Sequence, residues 1–251
     1  MERKGHFTMR KIVLVLTMLV GFAFATSPLA MAQGDVDIDA VSETVLAADT
    51  DALLTELETP MADENLPEGF SEAEFADPEQ ATAEEGVLPS EDLEGTLGSV
   101  AYTLSYEPAG TASPEAGATT TDEATPGLDM SALSFGFASV NYVVFEEELD
   151  SGDLEDFKDG AQHGIDEEEG QASVEDITIG DTDGVLLTYI IEDSGVQSAV
   201  QMVAVPVGNV MVMSMVVLAS TEVDADAIQT DSENLVLAGI EHLGTVAEDA
   251  Q

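Results

Sequence analysis

The chain has 251 residues, 52 of them Asp or Glu against five Lys or Arg, for a net charge of −47 at neutral pH. It has no Cys, so disulfides, thiolate metal ligands and thiol nucleophiles are excluded; without Trp, it has no indole platform for sugars. An anionic field of that size repels nucleic acid and anionic lipid, both of which are gripped through Lys and Arg.

The amino end reads as a leader. Arg3, Lys4, Arg10 and Lys11 precede an apolar run over residues 12–25, and Ala30-Met31-Ala32 closes it with small residues. A basic start, a short apolar middle and an A-x-A end predict a Sec-type signal peptide over residues 1–32, cleaved after Ala32. The run is too short to span a bilayer, which takes about 20 apolar residues. Two starts are open, Met1 and Met9. Cleavage would place the protein outside the membrane, secreted or in the cell-envelope space, with no stable membrane insertion. It would also take four of the five basic residues and one acid, leaving Lys158 against 51 acids and a net charge of −50. Arg-fork recognition of carboxylate or phosphate is then impossible. Weak association with divalent cations is expected of such a surface, which reads as salt-adapted.

Residues 33–95 read as an acidic extension, partly disordered, with helical periodicity from Val41 and a short helix over 51–57. Residues 96–251 read as one α+β domain. A strand over 97–106 alternates with period two, and a Pro/Ala/Thr-rich loop at 108–129 is expected to be disordered. A second strand region spans 133–146. Asp150 or Ser151 is placed to cap a helix with Leu154, Phe157 and Ala161 on its inner face. Strands over 174–179 and 185–191 follow, with a hairpin turn between them placed at Gly180-Asp181-Thr182-Asp183-Gly184, where Asp-Gly is preferred. The spacing of Thr230 and Glu233 predicts a capping box opening the last helix, and Gly244 is its expected stop.

Residues 196–218 form the most informative stretch. Two runs rich in β-branched residues flank Pro206-Val207-Gly208-Asn209, and the second, 210–218, has one polar residue, Ser214. That predicts a hairpin whose second strand is covered on both faces. The expected architecture is an antiparallel meander of about six strands sandwiched with two main helices.

Tyr142-Val143-Val144-Phe145, Ile179-Gly180-Asp181 and Pro206-Val207-Gly208-Asn209-Val210, in that order around a helix, resemble the PsbP/Mog1-like domains of secreted bacterial proteins. The likeness covers roughly residues 97–246. It implies an antiparallel sheet between helices and an accessory or binding role, and carries over no catalytic residue.

Candidate chemistry is sparse. Beyond the leader the only histidines are His163 and His242, and no nucleophile elbow accompanies them. Lys158 sits among Asp153, Glu155, Asp156 and Asp159, which suggests ion pairing along its own helix. Asp35-x-Asp37-x-Asp39 starts like a calcium loop, but Ala40 and Leu46 stand where an EF-hand needs Gly and Glu. Asp181 and Asp183 are the remaining carboxylate candidates for a metal. Met211, Met213 and Met215 alternate along one strand face, a spacing that suits Cu(I), although the intervening valines favour a buried strand in which Met fills gaps. No cofactor is expected. The expected function is a secreted, non-enzymatic acidic binding or accessory protein; the alternative is a metal binder using carboxylates or the methionine face, and a carboxylate-dependent hydrolase is the third.

Overall fold

The computed structural model describes residues 36–72, 95–107, 135–165, 171–193, 196–221 and 223–251. The predicted leader, the loop at 108–129 and Asp35 lie outside them. The described chain is an α+β fold, a seven-stranded antiparallel sheet packed against helices.

Two helices, α1 (Ile38–Ala47) and α2 (Thr50–Glu56), come first, and a 3-10 turn (Asp63–Asn65) leads into the short β1 (Phe70–Glu72). Then follow β2 (Thr96–Tyr106), β3 (Phe135–Phe145), α3 (Ser151–Ile165), β4 (Gln171–Ile179), β5 (Thr182–Asp193), β6 (Val196–Val207), β7 (Val210–Ser220) and α4 (Ala225–Asp249). The strands lie in the order β1-β2-β3-β7-β6-β5-β4. The sheet is thus two meanders joined where β3 pairs with β7, with α3 carrying the chain from β3 to the far edge. The strand beyond the expected six is β1, three residues that pair with the end of β2.

The central strand β7 is buried from Val210 to Leu218. Its even positions, Val212 and Val216 among them, face α4, α1 and α2; its odd positions, Met211 and Met213, face α3. Layers therefore cover both faces, as a strand with one polar residue in nine requires. That residue, Ser214, is fully buried and donates to the Ser232 carbonyl of α4 at 2.7 Å. The β6–β7 turn is Gly208-Asn209, with Gly208 at φ +62°. Pro206 is still in β6, but sits beyond the last β5 pairing at Val185–Ala204, where its missing N–H costs the ladder nothing.

Ile38, Val45, Leu53, Leu57, Met61, Leu66 and Phe70 all enter the main core. Residues 36–72 are therefore part of the packed unit on the α4 face, although their sequence reads as an acidic extension.

Four local expectations need correction. The last helix opens at Asp224, whose side chain accepts from the Ala227 N–H at 3.2 Å, and Thr230 lies within it, bonded to the Asp226 carbonyl. The earlier start buries Ile228, which the Thr230 box would have left outside the helix. Nor does α4 stop at Gly244: it runs through to Asp249, and a Cβ at Gly244 would come within 3.1 Å of Val41 in α1. That glycine serves close helix packing. The β4–β5 turn is tighter than the expected stretch from Gly180 to Gly184: it is Gly180-Asp181 alone, with Gly180 at φ +59°. Gly184 instead lies inside β5, where a Cβ would meet the Ala204 carbonyl oxygen at 2.8 Å. Finally, Lys158 reaches across to Asp176 on β4 and not along its own helix.

One capping expectation agrees with the structure in detail. Asp150 accepts from the N–H of Gly152 (2.6 Å) and Asp153 (3.3 Å), while Asp153 accepts from the Asp150 N–H (2.8 Å). This is a reciprocal box that satisfies the free donors at the start of α3.

Candidate functional site

The sequence candidates do not converge. Asp181 is exposed in the β4–β5 turn, and Asp183 is exposed on β5 opposite Thr178. Asp37 is occupied as the N-cap of α1, accepting from the Ala40 N–H at 3.1 Å. Among the described residues no group of three or more His, Cys, Asp or Glu side chains stands close enough to hold a metal ion. Met211 and Met213 lie beneath α3 with Val143, Leu154, Val185 and Ala204, and Phe157 and Met202 pack around them. Met215 continues the row opposite Met202 and is 8% exposed. Met211 and Met213 occupy carbon-lined positions in a packed layer, where flexible side chains fill irregular space.

His163 is exposed near the end of α3. Its counterpart His242 has the most developed environment of any titratable side chain in the fold. It lies on α4 at a half-buried position, with its ring 6.1 Å from those of Tyr102 on β2 and Tyr142 on β3. Tyr102 and Tyr142 themselves meet edge to face at 5.9 Å. Three polar contacts tie this cluster down. Tyr142 donates to the Gly239 carbonyl at 3.0 Å, and Tyr102 donates to the Thr59 carbonyl at 3.1 Å. The Nε2 of His242 lies 3.1 Å from the same Thr59 oxygen. Two elements distant in sequence thus grip one carbonyl in the segment between α2 and the 3-10 turn.

The electrostatics follow from burial. Desolvation pushes the phenols of Tyr102 and Tyr142 well above the ordinary tyrosine value, with Glu58 adding to the effect on Tyr102. Desolvation also lowers the proton affinity of His242, while its bond to Thr59 works the other way. Burial therefore favours the neutral form of all three groups.

A third phenol, Tyr106, is stacked on Phe70 with ring centroids 5.0 Å apart and donates to the Asp231 carboxylate of α4. Burial raises the pKa of Asp231; the Tyr106 bond opposes that shift and the charge of Glu68 adds to it. A further polar contact beneath α4 is made by Gln201, 2% exposed, which donates to the Ala225 carbonyl at 3.1 Å. Chemically these groups fasten helix to sheet. Sequence reading did not find them, because each bond joins residues far apart in the chain. The trace in the sequence was a pair of tyrosines on one face of β2, Tyr102 and Tyr106, with Leu104 between them.

No family model matches the chain, and no curated protein matches it. Among solved structures, the extracellular domain of PknH from Mycobacterium tuberculosis is similar at 10% identity, over 60% of this chain and 69% of that one, with a TM-score of 0.25. No helix among the described residues is long and apolar enough to cross a membrane.

Proposed function

We infer that the protein is a secreted, non-enzymatic binding or accessory module of the PsbP/Mog1-like kind, acting outside the membrane through an acidic surface. The observation that carries this reading is the charge distribution. Beyond the leader, Lys158 stands alone against 51 acids, and it is already paired with Asp176. A complementary partner is consequently cationic, or bridged by divalent ions, because a second anionic surface would be repelled. The buried polar groups support the same reading, since Tyr102, Tyr106, Tyr142, Ser214 and His242 are all engaged within the fold.

The finer PsbP/Mog1-like assignment draws support from the order β3, α3, β4, then the β6–β7 hairpin with Gly208-Asn209 at its tip. The test is a turnover screen with esters, glycosides and phosphoesters, run beside calorimetric titration with calcium and with Cu(I). No turnover and a broad, salt-like response to cations is the expected result. Turnover abolished by one side-chain substitution would overturn the reading in favour of a carboxylate hydrolase. Stoichiometric, saturable metal binding would overturn it in favour of a metal carrier.

A further inference from the structure

We propose that His242 is a proton-sensitive latch that holds the segment between α2 and β1 against α4 and the sheet. The geometry is specific to that segment. After α2 the chain makes a turn in which the Glu58 and Thr59 N–H groups bond back to the Thr55 and Glu56 carbonyls. This leaves the Thr59 carbonyl facing the sheet, where Tyr102 and His242 both reach it at 3.1 Å. On either side of this point Leu57 and Met61 are buried in the main core. The Thr59 carbonyl is thus where polar bonds join the segment to β2 and α4 at once.

Protonation acts on one of those two bonds. The neutral ring, with its proton on Nε2, donates to Thr59 while sitting half-buried against two phenols. An imidazolium at the same place keeps that donor but must shed water around a full charge. The groups facing it do little to compensate. β2 and β3 present Tyr102 and Tyr142, both neutral phenols; the segment itself presents Glu58; and the helix carries Glu241 next to the histidine, pointing to solvent. The bond to Thr59 favours the imidazolium, and burial outweighs that effect.

The sign follows. A histidine whose folded-state proton affinity is lowered contributes stability that is complete above its ordinary value near 6.5. That stability is lost as pH falls from there through the lower folded value. In this window ordinary carboxylates, which titrate near pH 4, are still charged. Asp231 has the opposite sign, because a raised carboxyl favours the fold as it takes up a proton, and it acts on Tyr106, not on this segment. Mild acid therefore turns the imidazole out to water, removes one of the two donors on Thr59, and loosens residues 57–66 while the sheet stays formed.

The experiment is amide hydrogen exchange on the full chain at pH 7.5 and 5.5, corrected for intrinsic rates. It is run on wild type and on His242→Gln, which keeps a neutral N–H donor, and NMR titration of His242 is read against the ordinary imidazole value near 6.5. The expected result is that His242 titrates below the ordinary imidazole value and residues 57–66 lose protection at pH 5.5 in wild type only, with β7 unchanged. An equal loss in His242→Gln, no loss in wild type, or a His242 midpoint at or above the ordinary imidazole value would overturn the proposal. If the Gln variant does not fold, the wild-type titration and exchange decide alone.

Discussion

Tyr106, in the last position of β2, donates its phenolic proton to the carboxylate of Asp231 in α4, 125 residues further along the chain. The phenol is 2% exposed, and its ring is stacked on Phe70, so one side chain couples β1, β2 and the helix above them. A hydrogen bond to a carboxylate is stronger than one to its protonated form, and the bond lowers the Asp231 pKa against the effect of burial.

Replacing Tyr106 with Phe keeps the stack and deletes the donor. We expect a loss of about 1.5–3 kcal/mol at pH 7, the range for hydrogen bonds to charged groups. The loss should shrink at acid pH, because wild type and variant converge once Asp231 is protonated in both. Urea midpoints at pH 7 and pH 4 check the sign: a larger loss at pH 4 contradicts the account.

Two glycines should respond in opposite directions to the same substitution. In α4, a Cβ on Gly239 would meet Val140 at 2.9 Å and Val212 at 3.3 Å, both from the sheet below. Gly239→Ala is expected to cost about 1–3 kcal/mol, as overpacking does. In α3, a Cβ on Gly160 meets nothing within 4 Å, so Gly160→Ala should stabilise by about 0.5–1 kcal/mol through helix propensity. Thermal unfolding of both variants reads the difference directly.

Helix α3 is held by its apolar face. Leu154 packs with Met211, Met213 and Val185, whereas Lys158 pairs with an Asp176 side chain that is 81% exposed. Leu154→Ala is expected to lower stability by about 2–5 kcal/mol. Lys158→Ala should leave the denaturation midpoint where it was, since exposed ion pairs contribute little and are screened by salt. A large effect of Lys158→Ala at 0.5 M salt would contradict this.

How far the fold could be read from residues alone depended on the range of the interactions concerned. The β6–β7 hairpin and the Asp150 cap were readable because their signals are contiguous: β-branched runs around Gly208-Asn209, and an Asp three residues before another. The start of α4 was not, because Asp224 and Thr230 both offer a cap and only the burial of Ile228 decides between them. The β4–β5 turn had the same ambiguity, with Gly180-Asp181 and Asp183-Gly184 both suited to a tight turn. Gly184 is required by the neighbouring Ala204 carbonyl of β6, a contact no local pattern reveals. Residues 36–72 look polar in one dimension because their charges lie on the outer face, while Val45, Leu53 and Leu57 point inward. The Thr59–His242 contact spans 183 residues and leaves no local trace.

The central claim is that β7 is shielded on both faces, which makes the methionine row part of a packed layer. Timed oxidation of the native protein with hydrogen peroxide, with each methionine followed by mass spectrometry, tests it most directly. Met211 and Met213 should oxidise far more slowly than the part-buried Met202, and reach its rate only in denaturant. Oxidation of all three at one rate in native buffer would mean an open face, and would contradict both the layered fold and the packing role given to those thioethers.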